Sequence, residues 1–456
     1  MSRTLPTRET GASGILAPDL RVATLGIVGL VSLIAFEAMA VATALPSAVA
    51  ELRGLAWYGW SFTALLVTSV VGMVAAGELA DRVGVRRPLL VGVLTFLTGL
   101  VVAGLAGDMA VFVLGRALQG VGVGLLAVVM YVLVGEAYPE RLRPAVFGAI
   151  SAAWVVPALV GPVVAGSLAE GPGWRWVFLG LVPFVLAGGA LLLPLSRRLG
   201  RPERPPPPRP GRWAAAVLAG GGVAAVQWAA QDLSWPRLPV AIGGLLLLAT
   251  GLRVLLPRGT VALRRGVPAV VAFRGLLTGS FFSVESLVPL TLTLVHGYSA
   301  TAAGIPLTGG ALGWAAASWW QGRHPDTARH RLVRIGFGLV AVAAGGMALV
   351  SQPWAPGWLV YPVWLAGGIG MGLAMASIGV LLLGLTPPAE RGTNSSALQI
   401  SDSVSSALCI ALAGALVAAS ARDVLTLPTA AATLDLVMVG VAVTGAALAA
   451  RARGPA

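Results

Sequence analysis

The sequence predicts an all-α polytopic membrane protein of fourteen spans, arranged as two six-helix bundles plus two extra helices. Three observations carry that expectation. The 456-residue chain is 57% apolar and 11% charged, far from the roughly 25% charge of a soluble domain. Apolar runs of about twenty residues, the length that crosses a hydrocarbon core, recur along it. Its 31 basic residues, every one an arginine, gather in alternate loops between those runs, as the positive-inside bias requires.

The elements follow in order. Residues 1–21 form a polar tail with Arg3, Arg8 and Arg21 and without the apolar core of a cleavable signal peptide. The N-terminal bundle, residues 22–195, holds spans near 22–46, 57–77, 88–107, 109–134, 145–168 and 176–195. Residues 196–212 are a Pro/Arg-rich linker, extended and unable to pack a core. Two additional transmembrane helices, near 213–231 and 238–256, occupy 213–257. The C-terminal bundle, 258–451, holds spans near 268–295, 300–320, 335–351, 357–386, 393–420 and 431–450. With the N-terminus inside, the outer loops keep only Arg53, Arg175, Arg237 and Arg422. Both termini are then cytoplasmic, and the chain is expected as a multi-pass protein of the plasma (inner) membrane.

Composition also excludes function classes. The net charge of +13 could suggest nucleic acid, but arginines in short loops set topology, so no nucleic-acid partner is expected. Cys409 is alone and cannot form an intramolecular disulfide. His296, His324 and His330 fall at loops or span ends, giving no metal-ligand cluster and no catalytic constellation. A membrane enzyme is therefore not expected, and neither is a bound cofactor.

The two halves echo each other. Gly77, Asp81 and Arg86 recur as Gly322, Asp326 and Arg331 at one constant offset, both times after the second span of a bundle. Glu37 in the first span is echoed by Glu285 in the ninth at nearly the same offset. Two echoes together favour an internal repeat.

Charges inside the hydrocarbon mark the candidate chemistry, because such groups are rare and functional as a rule. Glu37 lies about nine residues before Pro46, or ~14 Å from the span's outer end at 1.5 Å per residue. Glu285 lies at similar depth before His296. In a low dielectric the charged form of a carboxyl is disfavoured, so each can take up and release a proton as water access changes; a structural hydrogen bond between helices is the alternative. Arg116, inside the fourth span, needs a carboxylate or backbone carbonyls as partner. Arg274 lies close enough to a span end to snorkel to the interface, and Asp435 is expected at the interface. Ser395, Gln399, Asp402 and Ser406 form one polar stripe on the thirteenth span, making Asp402 a further proton-site candidate or an interhelical hydrogen-bonding group. Gly120 with Gly124, and Gly368 with Gly372, are spaced for close helix contact. Pro162 permits a bend beside Gly161. Trp154, Phe281, Phe282 and Gln399 are substrate-cavity candidates, with packing against lipid or a neighbouring helix as the alternative for the aromatics.

At these residues the chain resembles the major facilitator superfamily, and within it the fourteen-span drug:proton antiporter branch. The loop Gly77-Glu-Leu-Ala-Asp81-Arg82-Val-Gly84-Val-Arg86-Arg87 looks like that superfamily's signature between helices 2 and 3. Arg116-Ala-Leu-Gln119-Gly120 is similar to its second motif, and Gly161-Pro162-Val-Val-Ala165-Gly166 to the antiporter motif, with Pro157 where a glycine is usual. Trp174-Arg-Trp176-Val-Phe178 opens helix 6 as in that branch, and Glu37 through Ala44-Leu45-Pro46 looks like its Asp-x-Thr…Ala-Leu-Pro segment, with Glu37 and Met39 as departures. The motifs cover the N-terminal half well; the C-terminal half matches mainly by helix count and glycine pattern.

The resemblance implies a major facilitator fold and proton-coupled efflux by alternating access, exporting hydrophobic or cationic small molecules in exchange for protons. Glu37, Glu285, Arg116 and Asp402 would couple protons. Gly77, Asp81, Arg82, Gly84, Arg86 and Arg87 would latch the bundles on the cytoplasmic side, with Glu136, Glu140, Arg141 and Arg143 as network partners. Gly161, Pro162 and Gly166 would belong to exchange rather than uptake. The proton gradient would be the energy source, and the protein a monomer in the bilayer. An exporter of a lipid or endogenous natural product is the alternative, and a non-transporting membrane sensor a distant one.

Overall fold

The computed structural model describes residues 14–139, 142–199, 211–231, 235–324, 327–387 and 391–452, and at positions 81, 144, 147, 148, 151, 322, 391 and 392 the backbone alone. The N-terminal bundle comprises α1 (Arg21–Glu51), α2 (Tyr58–Val83), α3 (Arg86–Gly104), α4 (Met109–Ala137), α5 (Arg143–Ala152), α6 (Val155–Leu168), α7 (Trp176–Leu179) and α8 (Val182–Arg198). A hairpin of α9 (Arg212–Ala230) and α10 (Leu238–Leu255) follows. The C-terminal bundle comprises α11 (Val267–Leu294), α12 (Ala300–Arg323), α13 (Arg329–Val350), α14 (Val360–Leu385), α15 (Arg391–Ser420) and α16 (Leu427–Leu448). Among the described residues there is no strand.

Among the described residues, thirteen helical segments are long and apolar enough to cross a membrane. The helix α12, 24 residues long, is not among them. Fourteen spans result because α5 with α6, and α7 with α8, each make one broken span. The breaks have one cause. Pro157 cannot donate to the carbonyl of Ala153, four residues back, and the helix opens at Ala153–Trp154. Pro183 likewise spares Leu179, and α7 ends there. The bend expected at Pro162 is therefore displaced: Pro162 lies inside an uninterrupted α6. A second correction concerns the first span, which runs through Pro46 to Glu51. Glu37 is thus near the middle of a 31-residue helix, deeper than Pro46 as an end would place it.

Local chemistry fixes the ends. Asp108 accepts from the Val111 amide at 2.9 Å and caps α4; Ser299 and Thr426 cap α12 and α16 in the same way. Gly84 closes α2 at φ 78°, a conformation open to glycine, and so allows α3 to start almost at once.

Both bundles repeat one packing scheme. A Cβ on Gly124 of α4 would come 2.8 Å from the Met73 amide nitrogen of α2, and one on Gly372 of α14 would come 2.8 Å from the Ala317 Cβ of α12. A Cβ on Gly115 of α4 would lie 2.6 Å from the Ala103 nitrogen of α3; one on Gly370 of α14, 2.6 Å from the Gly336 carbonyl of α13. Close helix contact through glycine replaces the hydrophobic drive that lipid removes. The repeat read from two polar echoes is thus a repeat of helix crossings. The bundles meet along α6–α12, α2–α15 and α1–α11, while α9 lies across α2 and α15 and α10 packs on α9. Leu94, Phe184, Leu245 and Leu246 are among the large apolar side chains that face outward, as a lipid-facing belt requires.

Candidate functional site

Three elements of the N-terminal bundle converge on one buried ion pair. Arg116 of α4 and Glu37 of α1 are 2% and 1% exposed and form a hydrogen-bonded salt bridge. The guanidinium also donates to the Ser61 carbonyl of α2 at 2.9 Å and to the Gln119 Oε1 at 2.8 Å. The partner expected for Arg116 is therefore both a carboxylate and a backbone carbonyl. Burying two charges is costly, and such a pair persists only when its remaining hydrogen-bonding capacity is met. Gln119 Nε2, Thr63 Oγ1 and Thr43 Oγ1 are buried polar atoms without a partner among the described residues. Thr43, Ser61 and Thr63 were missed at the sequence level, since lone hydroxyls in apolar spans look like ordinary backbone-bonding residues.

Glu285 of α11 is differently placed. It is half-buried, and no hydrogen bond or ion pair joins it to another described residue. Its neighbour Ser286 accepts from the hydroxyl of Tyr58, a fully buried residue of α2. One turn back on the same face, Phe281 stacks on Trp364 at 4.9 Å and meets Phe282 at 5.5 Å and Trp314 at 6.3 Å. Phe281 is 3% exposed, Phe282 is half-buried, and Trp154 lies 43% exposed at the α5–α6 break.

The polar stripe of α15 holds a second charged contact. Arg274 Nε of α11 donates to Asp402 Oδ2 at 2.8 Å, and Nη2 to Gln399 Oε1 at 3.4 Å. Arg274 thus points into the bundle, and the expected snorkelling gives way to an ion pair whose side chains are 12% and 17% exposed. Asp435 is also corrected: it is 2% exposed and accepts from Ser351 Oγ at 3.3 Å, because the end of α13 covers it.

On the arginine-rich face, Arg82 pairs with Glu78 of its own helix at 3.8 Å, and Arg86 and Arg87 are exposed at the start of α3. A Cβ on Gly77 would meet nothing. The side chain of Asp81 and all of Glu140, Arg141 and Asp326 lie outside the described residues. Arg143 donates to the carbonyls of Gly135 at 2.7 Å and Tyr138 at 3.0 Å, closing the end of α4. The Tyr138 hydroxyl contacts Thr24 Oγ1 at 2.8 Å; burial raises its pKa and that hydrogen bond opposes the rise.

The opposite half of the molecule joins the bundles directly. Gly166 abuts Thr301, and a Cβ on Gly304 of α12 would lie 2.9 Å from the Pro162 carbonyl. Thr308 Oγ1 donates to Leu159 O at 2.9 Å, and the Thr301 amide at the start of α12 donates to Glu170 at 2.6 Å. Gly161 faces Met39 of α1. The α6 motif is thus part of the seam between bundles. Glu170, Tyr58 and Thr308 complete that seam and carried no signal beyond polarity near a span end. A cleft of about 570 Å³ opens beside it, lined by Pro46, Ala50, Arg53, Trp57, Leu290 and Leu294 among others. Among the described residues no three His, Cys, Asp or Glu gather as metal ligands.

Comparison with known proteins agrees with this architecture. A family model described as Major Facilitator Superfamily matches residues 27–410. An uncharacterized MFS-type transporter of Mycobacterium tuberculosis (strain ATCC 25618 / H37Rv) is 32% identical over 348 residues, 73% of this chain and 50% of that protein. The multidrug transporter protein MdtP of Bacillus subtilis (strain 168) is 32% identical over 158 residues, 34% of this chain and 29% of that protein. The chain therefore spans half or less of the length of these curated relatives. A crystal structure of the POT family transporter PepTSo superposes with a TM-score of 0.69 at 15% identity, covering 94% of this chain and 96% of that one, a likeness of fold.

Proposed function

The chain belongs to the Major Facilitator Superfamily, and from that premise we propose that it is a proton-coupled exporter of hydrophobic or cationic small molecules, of the drug:proton antiporter kind. One observation carries the reading: a buried Glu37–Arg116 pair lies in one bundle, and the other holds a carboxyl, Glu285, without a partner among the described residues. Charges at this depth are expensive and are retained for ion or substrate pathways. Similarity to a multidrug transporter protein supports a drug-like substrate.

The chemistry follows from the two acids. A proton delivered to Glu37 neutralises it and removes the charge attraction to Arg116, while the Ser61 carbonyl and Gln119 still hold the guanidinium. The ties from α4 to α1 then weaken while those to α2 hold, which favours rearrangement of one bundle. Glu285, with aromatic rings one turn away, suits a cation with an apolar body. Substrate and proton would compete for carboxylates as the bundles rock about the midplane, with the arginine-rich face cytoplasmic.

The test is ethidium transport in proteoliposomes under an imposed pH gradient. Wild type should move ethidium against the proton flux, and Glu37→Gln should not. Export that ignores the gradient, with the variant equal to wild type, would overturn the reading.

A further inference from the structure

The α9–α10 hairpin sits where the two bundles meet, with α9 across α2 and α15. Gly220 of α9 packs on Val67 of α2, while Ala215, Ala216, Ala219 and Val223 share a core with Val70 of α2 and Ile400, Val404 and Ala407 of α15. Towards the face opposite the arginine-rich one, α2 and α15 cross through two glycines. A Cβ on Gly414 would lie 2.6 Å from the Gly59 Cα, so neither position has room for a side chain. Into this crossing α9 inserts Gln227. Its Nε2 would lie 3.2 Å from a Cβ on Gly59 and 3.5 Å from one on Gly414. Gln227 is 1% exposed, and neither its Nε2 nor its Oε1 has a hydrogen-bond partner among the described residues. One turn on, Gln231 Nε2 donates to the Ala56 carbonyl at 3.2 Å and ties α9 to the start of α2.

From this geometry we infer that Gln227 is a positioning residue of the transport cycle, acting on the α2–α15 crossing, and that the hairpin is a working third wall of the transporter. The inference rests on the alternating-access reading above. A buried amide with no partner is costly to the state that holds it. Parting α2 from α15 admits water to the amide and removes that cost. Gln227 therefore works against the closed crossing and speeds its opening. A side chain of equal volume without polar atoms gains nothing from opening. A Cβ at position 59 acts from the other side by wedging the crossing apart.

Ala411, one turn deeper on α15 and 2% exposed, reports the opening. In the full chain in proteoliposomes, Ala411→Cys is reacted with a membrane-impermeant maleimide; the Ala411 parent supplies the Cys409 background. Gln227→Met should slow labelling at least about tenfold, the factor that about 1.4 kcal/mol gives. Gln227→Asn, which keeps the amide, should restore most of the parent rate, and Gly59→Ala should raise it. If Gly59→Ala accelerates labelling while Gln227→Met and Gln227→Asn both match the parent, Gln227 is inert filling and the inference fails alone. If no background labels at position 411, the crossing does not open, and both the inference and the alternating-access reading fail. Should Gln227→Met not fold, Gln227→Leu carries the same expectation.

Discussion

The two bundles repeat their helix crossings and yet distribute charge differently. In the N-terminal bundle the central acid, Glu37, is locked to Arg116 at nearly zero exposure. In the C-terminal bundle the echoing acid, Glu285, has no partner among the described residues, and the ion pair has moved to Arg274 and Asp402, which are partly exposed. Packing and charge thus diverge independently within a repeat. Glycine at a crossing is replaceable only at the cost of separating two helices, whereas a carboxyl can change partner by a rotamer. On the proposed reading, the asymmetry would separate two duties, a pair that switches and an acid that binds.

The largest break of that comparison is Arg116→Ala. It leaves Glu37 buried and unpaired, which costs about 3–5 kcal/mol, so the detergent-solubilised protein should unfold at a clearly lower temperature and transport should stop. Arg116→Lys keeps the charge but loses the fork that reaches Glu37, Ser61 and Gln119 together, and should recover only part of the loss.

Next comes the pair of neutral substitutions. Glu37→Gln strands the Arg116 charge and should lower thermal stability. Glu285→Gln removes a carboxyl with no partner to strand among the described residues, so stability should hold or rise while the apparent affinity for ethidium falls. Equal destabilisation by both would erase the proposed division.

A smaller effect belongs to Asp402→Asn. Its partly exposed bridge to Arg274 is expected to contribute about 1 kcal/mol, measurable as a modest shift in unfolding, with a double-mutant cycle against Arg274→Ala giving a coupling of the same size. Smallest is Arg82→Ala. Its pairing with Glu78 is a surface contact within one helix, so stability should change by less than about 0.5 kcal/mol. A drop in transport without a drop in stability would then reveal the latch that the signature loop implies.

Much of this was legible in the chain. Apolar runs and arginine loops mark the spans, because lipid leaves a backbone few choices. Arg116 and Glu37 stand out because charge is rare at that depth. Other features were not legible. Pro157 and Pro162 are both prolines within one span, but only the carbonyl left at Ala153 marks a break. Arg274 and Asp435 both lie close enough to span ends to look interfacial, and only their neighbours on α15 and α13 cover them. Nothing in the helix that carries Gln227 indicates that Gly59 and Gly414 meet beside it.

The sequence by itself determined the membrane class and the helical spans, since both depend on local composition and on the length a helix needs to cross the bilayer. Which carboxyl is paired and which is left alone was decided only by tertiary structure. So was the seat of the α9–α10 hairpin on the seam between bundles. A partner across a helix contact is set by crossing angle and rotamer, which bring together residues hundreds of positions apart in the chain.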